Sequence, residues 1–185
     1  MTATTAPLGY GARPARRLNL RRPLTVALWI AVLSAAYVAA THAGKPAPYG
    51  AAPSFTLDDV RHPGSSVTVA AGRPTVVAFF AAWCEPCRDE LPRLEQAYQK
   101  AAGAVDVVAV DVNDSRRLAG ELLDASGATF PAGYDPHEAV AGRYKVNGLP
   151  TTVFVGADGR VAAVTRGRLT AAELERRMAG LTEGS

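Results

Sequence analysis

The stretch FFAAWCEPCRDELP, residues 79–92, contains the only two cysteines of the chain, Cys84 and Cys87. Two thiols three positions apart suit a structural disulfide, half of a zinc site, a copper port or a redox couple. A bridge across so short a loop removes little entropy from the unfolded chain and is the least stabilising kind. A closed zinc site takes four ligands. Only His42, His62 and His137 are left to complete one, without zinc-like spacing.

The redox reading has a direct physical basis. Thr75–Phe80, TVVAFF, is β-branched, aromatic and apolar, as a strand covered on both faces requires. A helix follows it. On a helical projection Leu91, Leu94 and Tyr98 fall within about 40° of Cys87, which defines the buried face. Cys84 then stands at the helix start, where free N–H groups and the helix dipole stabilise a thiolate. Pro86 suits the first turn because its missing N–H has no partner there anyway. Cys87 lies one turn in, on the same side. The expectation is an exposed attacking thiol, Cys84, and a shielded resolving thiol, Cys87.

Composition limits the alternatives. The 185 residues are 48% hydrophobic and 20% charged, ordinary for a globular domain. The net charge is +3, but residues 1–50 hold six bases and no acid. Residues 51–185 hold the other 14 bases and all 17 acids, so the folded part is acidic and a nucleic-acid surface on it is disfavoured. Five arginines precede LTVALWIAVLSAAYVAA, residues 24–40, a run without charge. That order keeps a leader cytoplasmic and carries the rest across a membrane. The expected organisation is a basic leader over 1–23, a transmembrane anchor over 24–41, a linker over 42–53 and a domain over 54–185. Val38-Ala39-Ala40 offers a signal cleavage site as the alternative to an anchor. Residues 42–53, rich in Ala, Gly and Pro, read as a tether, with an ordered arm as the other option.

Beyond the cysteines, Val67–Ala70 reads as a short β run ending at the turn Gly72-Arg73-Pro74, and Val105–Val112 as a second buried strand. Ser115–Ala125 reads as a helix capped by its serine and ended by Gly127, and His137–Tyr144 as a short helical segment. Thr151–Val155 and Arg160–Arg166 flank the hairpin signal GADG. Leu169–Leu181 closes as a helix with Thr170 as cap and Leu174, Met178 and Leu181 inward. That order implies an α/β fold, a mixed central sheet with helices on both faces.

FFAAWCEPC on a strand-to-helix turn, followed by GLPTTVFV at 148–155, resembles a thioredoxin-fold oxidoreductase. CEPC, RDELP, the expected anchor and FPAGYD narrow the resemblance to membrane-anchored thiol–disulfide oxidoreductases of the TlpA/ResA type, which serve cytochrome c maturation. The resemblance covers about residues 53–182. It implies a cis Leu149–Pro150 bond, with the Leu149 backbone free to pair with a bound peptide. It also implies a functional role for Glu90. On the projection Glu90 lies about 60° from Cys87, where a carboxylate is partly desolvated and can accept the Cys87 proton. Thioredoxins proper carry a buried aspartate six positions before the first cysteine, where this chain has Ala78.

Glu85 adds a negative charge beside Cys84, which together with Pro86 would make the disulfide less oxidising than that of strong oxidases. Trp83 offers a partner an apolar contact. The expected activity is reduction of exported protein disulfides, the resemblance pointing to the CxxCH motif of apocytochrome c, with recharging by a membrane thiol donor. Disulfide formation by the same chemistry in reverse is the alternative; a second is a copper-delivery protein on a thioredoxin fold, a role that takes CxxxC and a distant histidine, whereas this chain has CxxC and offers His137. No cofactor, metal or nucleic acid is expected, and nothing in the sequence marks a self-association face, so a monomer is expected.

Overall fold

The computed structural model describes residues 29–34 and 49–183. The chain divides into two compact units, Met1–Gly44 and Lys45–Ser185. Of the first, residues 29–34 are described; they are helical and exposed. The remainder of the expected 24–41 span lies outside the described residues. Among those described, no helix is long and apolar enough to cross a membrane.

The second unit is built on a five-stranded mixed sheet. A two-stranded hairpin, β1 (Phe55–Asp58) and β2 (Ser66–Val69), precedes it. Then come β3 (Thr75–Phe80), helix α1 (Glu85–Ala101), β4 (Asp106–Val112), helix α2 (Arg116–Ala125), β5 (Ala132–Asp135), helix α3 (Ala139–Arg143), β6 (Thr151–Val155), β7 (Val161–Arg166) and helix α4 (Ala171–Glu183). The strand order is β5-β4-β3-β6-β7. β3, β4 and β5 run parallel, because α1 and α2 return the chain to the same end. β6 is antiparallel to them, and β7, antiparallel to β6, runs in their direction again.

The most apolar strand lies at the centre. All six residues of β3 are buried, and Ala78 pairs with Ala109 on one side and Thr152 on the other. One side of the sheet packs α1, α2 and α4 through Leu91, Leu94, Leu123, Leu174 and Met178. The opposite side packs the hairpin and α3 through Phe55, Val67, Val69 and Val140. Helices therefore cover both faces, unequally.

The local differences from the sequence reading have identifiable causes. Neither β1 nor β5 was legible as a strand. FTLD and AGYD are four residues each, and β5 exists because β4 offers it a parallel edge, with Val110 opposite Gly133. Ser115 stands at the N-cap of α2 but its hydroxyl caps nothing; its own amide donates to Asp114 Oδ1 instead. Thr170 does cap α4, accepting from the Glu173 amide. α3 begins later than read, because Asp135 accepts the amides of Ala139, Val140 and Ala141 and so fixes its first turn. Residues 50–53 form the ordered arm rather than free tether: Ala52 N–H donates to Gly159 O, and Val161 N–H to Gly50 O.

Candidate active site

The turn leaving β3 carries the cysteines. Cys84 N–H donates to Ala81 O and Cys87 N–H to Cys84 O, which winds the chain directly into α1. Cys84 is the N-cap, and Pro86 occupies the first turn, where no intrahelical donor is lost. Cys84 and Cys87 are joined in a disulfide, with an S–S distance of 2.06 Å and Cα atoms 5.3 Å apart.

Both sulfur-bearing residues are buried in this state, Cys84 at 4% exposure and Cys87 at 1%. This corrects the expectation of an exposed Cys84. Its side chain packs in one apolar cluster with Phe80, Ala81 and Ala82. Trp83, next in the chain to Cys84, is 64% exposed, and its indole N–H donates to Asn113 O at 3.3 Å. Trp83 is thus a surface ring with a fixed edge and no part of the core. Glu85 and Pro86 are exposed, so water screens the Glu85 charge and its influence on Cys84 is weak.

Glu90 is the best-held acid of the site. It is 3% exposed, one turn past Cys87 on the same helix face. Thr152 Oγ1–H donates to one carboxylate oxygen at 2.8 Å, and Leu169 N–H to the other at 2.8 Å. Burial raises its proton affinity above the usual carboxylate range; the two hydrogen bonds and the charge of Arg93 oppose this only in part. Cys87, Glu90 and Pro150 line one small cavity together with Ala78, Phe79, Phe80, Leu91 and Leu94. Its free volume of about 10 Å3 is room for about one water. Asp89 points away and pairs with Arg168 at the surface, whereas Arg88, expected in solvent, donates to Ala82 O at 2.7 Å and so braces the turn before the cysteines.

The loop before β6 completes the site. The Leu149–Pro150 bond is cis. Pro150 O accepts from Gly167 N–H, and Thr151 Oγ1 donates to Gly148 O, which fixes the loop against β7. Among the described residues the Leu149 amide and carbonyl have no partner, so they can receive an extended chain as an added strand.

Sequence reasoning missed several residues around this site. Thr152 and the Leu169 amide hold Glu90, yet nothing in their own neighbourhoods marks them. The Asp114 carboxylate accepts the Ala82 amide at 2.5 Å and so braces the turn before the cysteines. Asp111 lies inside β4 at 0% exposure, and neither of its carboxyl oxygens has a hydrogen-bond partner. An acid inside the apolar run VVAVDV was the signal available for it.

A disulfide at the start of a helix, a buried carboxylic acid one turn further and a cis proline with open backbone beside it, on this sheet, define a thioredoxin-fold thiol–disulfide oxidoreductase. The chain belongs to the AhpC/TSA family, whose model matches residues 49–164. It is 30% identical over 130 residues to the thiol–disulfide oxidoreductase ResA of Oceanobacillus iheyensis, covering 68% of each chain. With ResA of Bacillus subtilis it shares 32% over 121 residues, 64% of this chain and 67% of that one. Among solved structures, the thiol:disulfide interchange protein DsbE from Chlorobium tepidum superposes with a TM-score of 0.66 at 27% identity, over 74% of this chain and 99% of that one. These similarities accord with the TlpA/ResA type read from the sequence.

Proposed function

We propose that the domain is an extracytoplasmic thiol–disulfide reductase of exported proteins. The carrying observation is Glu90, a buried acid that shares a one-water cavity with the resolving cysteine. The Cys84 thiolate attacks a substrate disulfide; one substrate sulfur bonds to Cys84 and the other leaves as a thiolate. Glu90 takes the proton of Cys87, directly or through one water. Cys87 then attacks Cys84, releasing the second substrate thiolate and closing the Cys84–Cys87 disulfide. The substrate lies across Leu149 and Pro150 with Trp83 as an apolar contact. Two electrons from a membrane dithiol donor restore the reduced pair.

The placement outside the cytoplasm rests on the basic leader before the apolar run at 24–40, with release after signal cleavage as the alternative. The substrate assignment, a CxxCH motif of apocytochrome c, rests on the resemblance of CEPC, RDELP and FPAGYD to the TlpA/ResA type. The deciding experiment is the reduction potential of the Cys84–Cys87 couple, titrated against glutathione. A value at or below about −270 mV supports reduction as the physiological direction. A value near about −120 mV assigns the domain to disulfide formation.

A further inference from the structure

Asp111 is the one carboxylic acid of the described residues that is wholly buried with both oxygens unpartnered. Its neighbours along β4, Val107, Ala109 and Val110, give no packing reason for an acid at this position. Buried polar groups without partners are rare, and a carboxyl in that condition is held in its neutral form.

Its place in the fold ties it to the cysteines. In the parallel register Asp111 stands opposite Phe80 on one side and Tyr134 on the other, so the three share a sheet face. Phe80 packs on that face in one cluster with Ala82, Cys84 and Cys87, and Tyr134 packs against the same cluster. The segment that follows Asp111 is the bed of the cysteine turn: Asp114 holds the Ala82 amide, and Asn113 O receives the Trp83 indole. Glu90 and Asp111 belong to different elements, Glu90 to α1, held from β6 by Thr152, and Asp111 to β4.

We propose that Asp111 is a proton-holding positioning group coupled to the redox state of the Cys84–Cys87 pair, binding a proton when the disulfide is reduced. The charged groups near enough to act on it are Asp114 beyond β4, Arg116 at the start of α2 and, from the other face of the sheet, Asp135 at the end of β5; the Tyr134 phenol shares its face. Central β3 contributes only apolar side chains and Thr75. Burial pushes the Asp111 carboxyl up to about 8; Asp114 and Asp135 add to the rise and Arg116 opposes it. Those values belong to the disulfide state, in which the cysteine pair carries no charge. Reduction places a thiolate on Cys84 in the same buried cluster, and a like charge in a low dielectric increases the proton affinity of Asp111 further. By reciprocity, an ionised Asp111 disfavours the reduced pair.

The balanced step above the ionisation of Asp111 in the oxidised domain is as follows. The S–S bond breaks and takes two electrons from a donor dithiol, which becomes a disulfide. Cys84 remains a thiolate, Cys87 takes one proton, and the Asp111 carboxylate takes a second. In the pH interval between the ionisation of Asp111 in the two redox states, reduction thus consumes one proton more than the thiols alone require.

The inference rests on the redox reading of the pair but is tested by a different quantity. The level of the potential at pH 7 decides between reductase and oxidase, whereas the slope of potential against pH decides the role of Asp111. The potential of the full chain in detergent is measured from pH 6 to 10 for wild type and Asp111→Asn. Loss of the extra proton makes the equilibrium constant of the variant change up to tenfold less per pH unit within that interval, about 30 mV per unit for two electrons. A structural role would displace the whole curve without changing its slope. If the Asn variant does not fold, the Asp111 13Cγ resonance of the wild type decides, titrated in both redox states. A higher ionisation point in the reduced protein supports the proposal. Superimposable slopes, or the same ionisation point in both states, overturns it.

Discussion

Glu90 of α1 and Thr152 of β6, 62 positions apart in the chain, meet in a buried hydrogen bond of 2.8 Å. Since Leu169 N–H fixes the other oxygen, the carboxyl cannot swing away from the cavity it shares with Cys87. The contact therefore links the helix that carries the resolving thiol to the strand that follows Pro150, the two halves of the site.

Glu90→Gln is expected to slow closure of the mixed disulfide by about 10²-fold, the lower range for a positioned acid–base group. Formation of the mixed disulfide by Cys84 keeps its rate. Rapid-quench separation of the two phases checks this, and the wild-type rise of the closure rate with pH through the raised Glu90 ionisation should vanish in the variant. Thr152→Val, which leaves a buried carboxyl oxygen unpaired, should cost about 1–3 kcal/mol in urea unfolding and move that pH limb upward.

Cys87→Ser should trap substrate on Cys84 as a stable mixed disulfide, because the second attack has no nucleophile. Non-reducing electrophoresis with an oxidised CxxCH peptide shows the adduct. Equal adduct on Cys84→Ser would reverse the roles given to the two thiols.

The Asp111 carboxyl, raised from an ordinary 3.8 to about 8, makes a prediction for the oxidised protein. Between those values the folded state keeps a proton that the unfolded chain has released. Stability is therefore greatest below about pH 4 for this group, declines as pH rises and levels off above about 8, at no more than about 1.4 kcal/mol per unit. Asp111→Asn removes that decline. Denaturant curves at pH 5 and 8 should show the variant gaining on wild type at the higher pH; parallel changes would mean that Asp111 is not held neutral.

Trp83→Ala should raise KM for a protein disulfide and leave kcat largely intact. The ring is 64% exposed and outside the core, so stability should change by no more than about 0.5 kcal/mol. A thermal melt beside the kinetic assay separates the two effects.

Gly133→Ala tests how the hairpin is seated. A Cβ there would lie 2.9 Å from Leu57 Cβ, which is anchored to its strand and cannot rotate away. The expected cost is about 1–3 kcal/mol, read as a lower denaturant midpoint at unchanged m.

Much of the site was legible before the fold was known. TVVAFF read as a strand covered on both faces because it is almost wholly apolar, and all six residues are buried. The helical period placed Leu91 and Leu94 on the Cys87 face, which is where they lie, and Glu90 at its edge, whereas the fold buries it. GLPT carried the cis proline only through resemblance, since no local rule distinguishes the isomers with certainty. By contrast, β1 and β5 were illegible. Their four-residue segments have little strand character of their own and become strands because a partner edge is present.

The sequence by itself determined the chemistry: which atoms exchange electrons, which helix carries them and which acid stands one turn away, all set by spacings within a dozen residues. Only the tertiary structure decided the environment of those atoms. It sealed Cys84 against Phe80 and Ala82, brought Thr152 and Leu169 to Glu90, and enclosed Asp111 between Phe80 and Tyr134 without a partner. Reactivity here depends on burial and on hydrogen bonds between residues far apart in the chain, and both come into being only when the strands pair and the helices close over them.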